Sequence, residues 1–243
     1  MPLPRSATTT LWLNAVLRGS TGPDDFSAAV RGSDPQHLVV GWPGVDGALP
    51  LVALPGAVQR LGDPRVSLVL PAPGDPLGLA GPAAFTADAV DAGEAVVISG
   101  RGGGYGLVPE VDARTVLWTV QTAEPAPVLD PAEASRTLRQ MLLEATAELV
   151  RLDVAHWQPE IPDLLLNLHH RPALPLPFGT APSDVETLER AVLCADIVEL
   201  ARADDGGAVS AFEASARTRC LTGLDVAARR AIVACCSANL RAS

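Results

Sequence analysis

Lysine is missing from this sequence: all 18 basic residues among its 243 are arginine. Together with the abundance of Ala, Gly and Pro, that absence reads as the codon bias of a high-GC genome. Arginine here is therefore not by itself a mark of phosphate recognition. A P-loop is excluded, because its phosphate grip needs a lysine. Aromatic residues are scarce, 4% of the chain against 48% hydrophobic residues, so a core must be built from Leu, Val and Ala. A positive excess is missing as well. The net charge is −10, with 7 Arg against 11 Asp/Glu in residues 1–123 and 11 against 17 in residues 124–243. Neither half offers the electropositive footprint of a nucleic acid binder. The same acid excess argues against an anionic membrane surface.

Long apolar runs are absent. Leu11–Leu17 is interrupted by Asn14 and is too short and polar for a signal sequence. Pro43, Asp46, Pro50 and Pro55 break up the most apolar region, and nothing approaches the ~20 apolar residues of a membrane helix. A cytoplasmic location is the expectation. Cysteine is limited to Cys194, Cys220, Cys235 and Cys236, with no Cys-x-x-Cys spacing. Adjacent positions on a helix project about 100° apart, so Cys235 and Cys236 cannot easily share a metal. Free, buried thiols are expected, with no metal and no cofactor.

Glycine divides the chain. Of 21 glycines, 17 precede residue 124. Glycine is expelled from helix interiors, where it costs roughly 1 kcal/mol relative to Ala. The division predicts an α+β protein: an N-terminal mixed sheet with short helices over residues 1–123, a Pro-rich linker at 124–131, and four to five helices over 132–243, forming a bundle or a layer packed on the sheet.

In the first half, Thr10–Leu17 reads as a strand and Asp24–Val30 as a short helix entered through Pro23. His37–Trp42 and Leu49–Ala53 read as strands, and Ala57–Leu61 as one helical turn. Arg65–Leu70, continuous in Val and Leu, reads as a central strand. Ala83–Ala92 is a helix. Glu94–Ser99, Tyr105–Val111 and Thr115–Thr122 form a three-strand meander, with the last turn at Asp112–Ala113.

In the second half, Asp130-Pro131-Ala132-Glu133 is a capping box with proline at the first helical position. Its helix should run to just before Pro159, with Leu138, Leu142, Ala145, Leu149 and Leu152 on one face. A shorter helix follows over Pro162–His170, then a loop over Pro172–Pro182. Ser183-x-x-Glu186 and Ser210-x-x-Glu213 open two more helices, and Thr222-Gly223 suggests a kink or break in the last.

Two loops invite chemistry. Pro71–Pro82 joins a strand's carboxyl end to a helix's amino end, where open α/β sheets place ligands. Gly74, Asp75, Gly78 and Gly81 are its candidate binding residues for a small polar or anionic ligand. A rigid, Pro-rich crossover accounts for the same residues. Gly100–Gly106 fails the dinucleotide fingerprint at every register and reads as a hairpin tip. Arg101 and Tyr105, its only large side chains, complete the candidate site by reaching over the same pocket.

Other chemistry has little support. His156, His169 and His170 fall close together, but a capping or core-edge role suits them better than metal ligation. His37 begins a strand with no evident partner. Asp88, Asp91 and Glu94 sit unfavourably near a helix C-terminus. Trp12, Trp42, Trp118 and Trp157 are expected in the core, Trp42 alternatively lining a surface pocket. No Gly-x-Ser-x-Gly elbow occurs.

The expectation that follows is a non-catalytic module that binds a ligand or protein partner at the sheet edge near residues 71–82. Helix 132–157 or helix 223–241 would supply a seam for a homodimer or protein partner. The alternatives are an enzyme using Asp75, Arg101 and Tyr105 on a small polar substrate, and a scaffold oligomer without a small-molecule site.

Overall fold

The computed structural model describes residues 3–79, 81–112, 115–151, 173–203 and 211–238. It forms two compact units. The sheet unit comprises Leu3–Leu129, Pro175–Ala181 and Cys236–Ser243; the helical unit comprises Met1–Pro2, Asp130–Leu174 and Pro182–Cys235.

The sheet unit is built from α1 (Arg5–Leu17), α2 (Pro23–Arg31), β1 (Gln36–Val40), β2 (Ala48–Pro50), α3 (Leu54–Gln59), β3 (Arg65–Val69), α4 (Ala83–Ala92), β4 (Ala95–Gly100), β5 (Gly103–Asp112) and β6 (Thr115–Thr122). A single 3-10 turn, Leu51–Ala53, precedes α3. The six strands are ordered β2-β1-β6-β5-β4-β3. Strands β3 to β6 form an antiparallel meander, β1 runs parallel to β6, and β2 folds back antiparallel on β1. The expected mixed sheet, with short helices ahead of a helical region, is the architecture found.

Alternation along the strands sends side chains to two faces. One face packs under α1, α2 and α3. Its core contains Leu13, Phe26, Val39, Leu54, Val58, Ile98, Leu107 and Trp118. The other face carries α4, whose Phe85 and Ala89 pack on Val69, Ala95, Val97, Val108 and Ala123.

Several elements differ from the sequence reading. Thr10–Leu17 is not a strand but most of α1. Ser6, Ala7, Thr9, Thr10, Leu11, Leu13, Asn14 and Ala15 are all buried, so the helix presents apolar or small side chains on nearly every side. A helix buried all round has no amphipathic period to betray it. Leu49–Ala53 divides between β2 and the 3-10 turn.

β3 is an edge strand rather than a central one. Its run of Val and Leu is apolar because both its faces are covered, and its outward backbone groups are bound by side chains. Asn14 Nδ2 donates to Val66 O at 3.1 Å and to Cys236 O at 3.3 Å. Leu68 N donates to Ser237 Oγ at 2.9 Å.

The helical unit contains α5 (Pro131–Arg151), α6 (Pro182–Ala203) and most of α7 (Ala211–Ser237). The Asp130 cap is present, with Glu133 N donating to Asp130 Oδ1 at 2.7 Å. α6 begins at Pro182, so Ser183 lies inside its first turn, where its carbonyl accepts from Thr187 Oγ1. α7 is continuous through Gly223, without the expected break. The rest of the expected helix to Pro159, the Pro162–His170 helix, His156, His169, His170, Trp157, Ser210 and Ala113 lie outside the described residues.

Candidate functional site

The 71–82 crossover satisfies much of its own polarity. Ala72 and Asp75 exchange two backbone hydrogen bonds at 2.9 Å around Pro73-Gly74. Gly74 has φ +81, which fits the third position of a type II turn, where a Cβ is unfavourable. Asp75 Oδ1 accepts from Leu77 N at 3.3 Å, an Asx turn. Gly78 and Gly81 are small for packing reasons. A Cβ at Gly78 would overlap the Pro127 ring, and one at Gly81 would press on Phe85. Among the described contacts these glycines meet linker and helix atoms, and Leu79 joins the apolar cluster under α4.

Arg101 and Tyr105 sit elsewhere. Gly100 pairs with Gly103, so Arg101 and Gly102 form a two-residue turn that rests on Gly62 and Leu61 through Arg101 N and Gly102 N. Gly103 through Gly106 belong to β5. Gly104 and Gly106 also serve close packing: a Cβ at Gly104 would strike the Ala123 carbonyl, and one at Gly106 would enter the Phe85 ring. The Tyr105 ring tilts against Trp42 at 5.6 Å, and its hydroxyl donates to Gly102 O at 3.3 Å. Trp42 belongs to the core of the α1–α3 face, whereas Gly81 and Leu79 adjoin the α4 face. Tyr105 and Gly81 therefore lie against opposite faces of the sheet.

The most elaborate polar arrangement was not legible in the sequence. Arg5 grips Asp34 through Nε at 2.8 Å and a second nitrogen at 3.1 Å. Asp34 Oδ2 lies 3.1 Å from His37 Nε2, and Trp118 Nε1 donates to His37 Nδ1 at 3.2 Å. Because the indole can only donate, Nδ1 must be the acceptor and Nε2 must carry the proton. His37 is thus held neutral, and burial lowers its pKa against the pull of Asp34. Arg5, through its hydrogen bonds, holds Asp34 below the usual carboxylate range. Both imidazole nitrogens are engaged, so the chain of contacts ties α1, the α2–β1 turn, β1 and β6 together. The Asp34-x-x-His37 spacing is visible in the sequence, but Trp118 arrives only through the parallel β1–β6 register.

Glu94 also has a role the sequence left unexplained. Its Oε2 accepts from Ser6 N at 2.7 Å, capping the distant N-terminus of α1. Burial raises its pKa. Burial makes Cys194, Cys220 and Cys235 weak nucleophiles at neutral pH. Burial pushes Cys194 up to about 11 and Cys235 up to about 12, and raises Cys220, which lines a shallow groove between α5 and α7 with Glu144, Glu148 and Arg219. Among the described residues no group of His, Cys, Asp or Glu could hold a metal ion, and no helix is long and apolar enough to cross a membrane.

Among the described helices of the sheet unit, α4 is the one that packs on the sheet's second face. α4 covers β4 and β5. Beyond it, the same face continues through Leu117 and Thr119 on β6, Leu38 and Val40 on β1, and Ala48 and Pro50 on β2, paired directly in the order Val108–Thr119–Val40–Ala48 and Glu110–Leu117–Leu38–Pro50. Leu38 and Leu117 are half-buried, and Val40 is 40% exposed. The sheet's two edges are poor templates for strand addition: β2 is three residues long and ends in Pro50, and β3 is bound by Asn14 and Ser237.

A six-stranded mixed sheet with helices on both faces, followed by a helical region, defines an α+β protein of two parts. The chain belongs to the Rv1486c-like family: the family's N-terminal domain matches residues 6–133 and its C-terminal domain residues 132–233. It is similar to the uncharacterized protein MAV321 of Mycobacterium avium, 30% identical over 198 residues, 65% of each chain. It is also similar to the uncharacterized protein Rv1486c of Mycobacterium tuberculosis H37Rv, 34% identical over 124 residues, 43% of each chain. These matches span less than two thirds of the relatives' length. No solved structure matches the chain.

Proposed function

We propose that the chain is a non-catalytic protein-binding module whose contact surface is the uncovered half of the sheet, on β1, β2 and β6. One observation carries the reading. A single ten-residue helix covers one half of a face, while the other half presents Leu38, Val40 and Leu117 in one registered patch. Apolar patches of this kind, rimmed by polar residues, mark interaction sites. The blocked strand edges favour docking on the face over strand addition. The raised thiols of Cys194, Cys220 and Cys235 and the doubly engaged His37 favour binding over nucleophilic or general-base chemistry.

The test is site-specific photo-crosslinking of the full chain in its native host. A photoreactive residue at Val40 or Leu117 should give a discrete heavier adduct. One at Gln59, exposed on α3, should not. Equal adducts from all three positions, or none from Val40 and Leu117, would reject the reading.

A further inference from the structure

Resting on that reading, we propose that the occupant of the open face is an amphipathic, basic helix of a partner protein. It would lie beside α4, with its apolar stripe on Leu38, Val40 and Leu117 and its cations toward β5.

The width of the patch argues for a helix. Three strands, β2, β1 and β6, spaced about 4.8 Å apart, leave a strip about 10 Å across, the diameter of one helix. α4 shows that this face accepts a helix on its other half. Its Phe85 seats over Gly106, in β5, next to β6.

Charge argues for the sign. Glu110 stands directly opposite Leu117, and Asp112 opposite Thr115, both exposed and both on the α4 side of the strip. Asp88 of α4, bonded to Gln121 on β6, extends the same acidic border. Among the described residues of β1, β2, β5 and β6 there is no arginine. Among the described residues of this border, the charged side chains a partner's arginines or lysines would meet are Glu110, Asp112 and Asp88, and a like-charged partner would be repelled. An acidic rim beside an apolar strip also disfavours an anionic lipid surface.

The probe is a synthetic helix of Leu and Arg, with leucines at i, i+3, i+4 and i+7, titrated into the 15N-labelled full chain. Binding should move the amide signals of β1 and β6. Val40→Asp should abolish those shifts, and Leu117→Ser should weaken them with the fold intact. Glu110→Arg with Asp112→Arg should weaken binding by about tenfold. Val111→Asp, on the opposite side of β5, should change nothing. Equal binding by a scrambled peptide or by a Leu/Glu helix would overturn the proposal. So would shifts confined to the helical unit, binding of phosphatidylserine vesicles through Val40, or a self-associated chain with Val40 buried. If crosslinking at Val40 succeeds while the Leu/Arg helix fails, the protein-binding reading stands and the basic helix falls.

Discussion

The two faces of the sheet use the same strands in different ways. On the α1–α3 face, three helices bury Trp118, Val39, Ile98 and Leu107 together with a hydrogen-bonded chain running from Arg5 to Trp118. On the α4 face, among the described residues, one helix packs on β4 and β5, and Leu38, Val40 and Leu117 keep part of their surface exposed. Adjacent residues fall on opposite sides of that contrast: Val39 is fully buried and Val40 is 40% exposed. This contrast predicts that the closed face carries the stability of the sheet unit and that exposed positions on the other half tolerate substitution.

Substitutions should separate the two faces by magnitude. Trp118→Ala empties the centre of the closed face and leaves His37 without its donor. It should cost about 3–5 kcal/mol of unfolding free energy, read by denaturant titration. Gly106→Ala forces a methyl into the Phe85 ring and should cost about 1–3 kcal/mol, because the covered half of the α4 face is also close-packed. Val40→Thr, on the open half, should change stability by no more than about 0.5 kcal/mol. A loss at Val40 as large as that at Trp118 would erase the contrast.

A smaller effect is a pH dependence on the closed face. Because burial lowers the pKa of His37 in the folded chain, the unfolded chain takes up its proton first as pH falls below the ordinary value of 6.5. Stability should therefore decline from about pH 6.5 down to the lower folded pKa, and contribute no slope above 6.5. His37→Gln should flatten that segment of the curve. Asp34, held low by Arg5, should add a second decline as pH falls below its ordinary 3.8. An unchanged slope in His37→Gln would show that the buried imidazole does not set it.

Much of the fold was legible where local signals were strong. Ala83–Ala92 is α4 with its predicted bounds, and the predicted three-strand meander is β4, β5 and β6. The Asp130 cap forms as its spacing predicts. Local pattern failed where tertiary burial removed the period. α1 is buried on nearly every side, and β3 is apolar at an edge because both its faces are covered, with Asn14 and Ser237 bonded to its outward backbone. The candidate loops were legible as loops but not in purpose. Gly78, Gly81, Gly104 and Gly106 are set by Pro127, Phe85 and Ala123, side chains and backbone that only the folded chain brings near. The open half-face was hidden for a related reason. Leu38, Val40 and Leu117 alternate like any half-buried strand residues, and nothing in their spacing says that α4 stops short of them.

The central claim is most directly tested by thiol labelling of Val39→Cys and Val40→Cys in the folded full chain, followed by peptide mapping. Cys at position 40 should react at a rate approaching that of an unstructured thiol, while Cys at position 39 should react only under unfolding conditions. Protection of both positions in the isolated, folded chain would mean that the face is already covered, and would contradict the account.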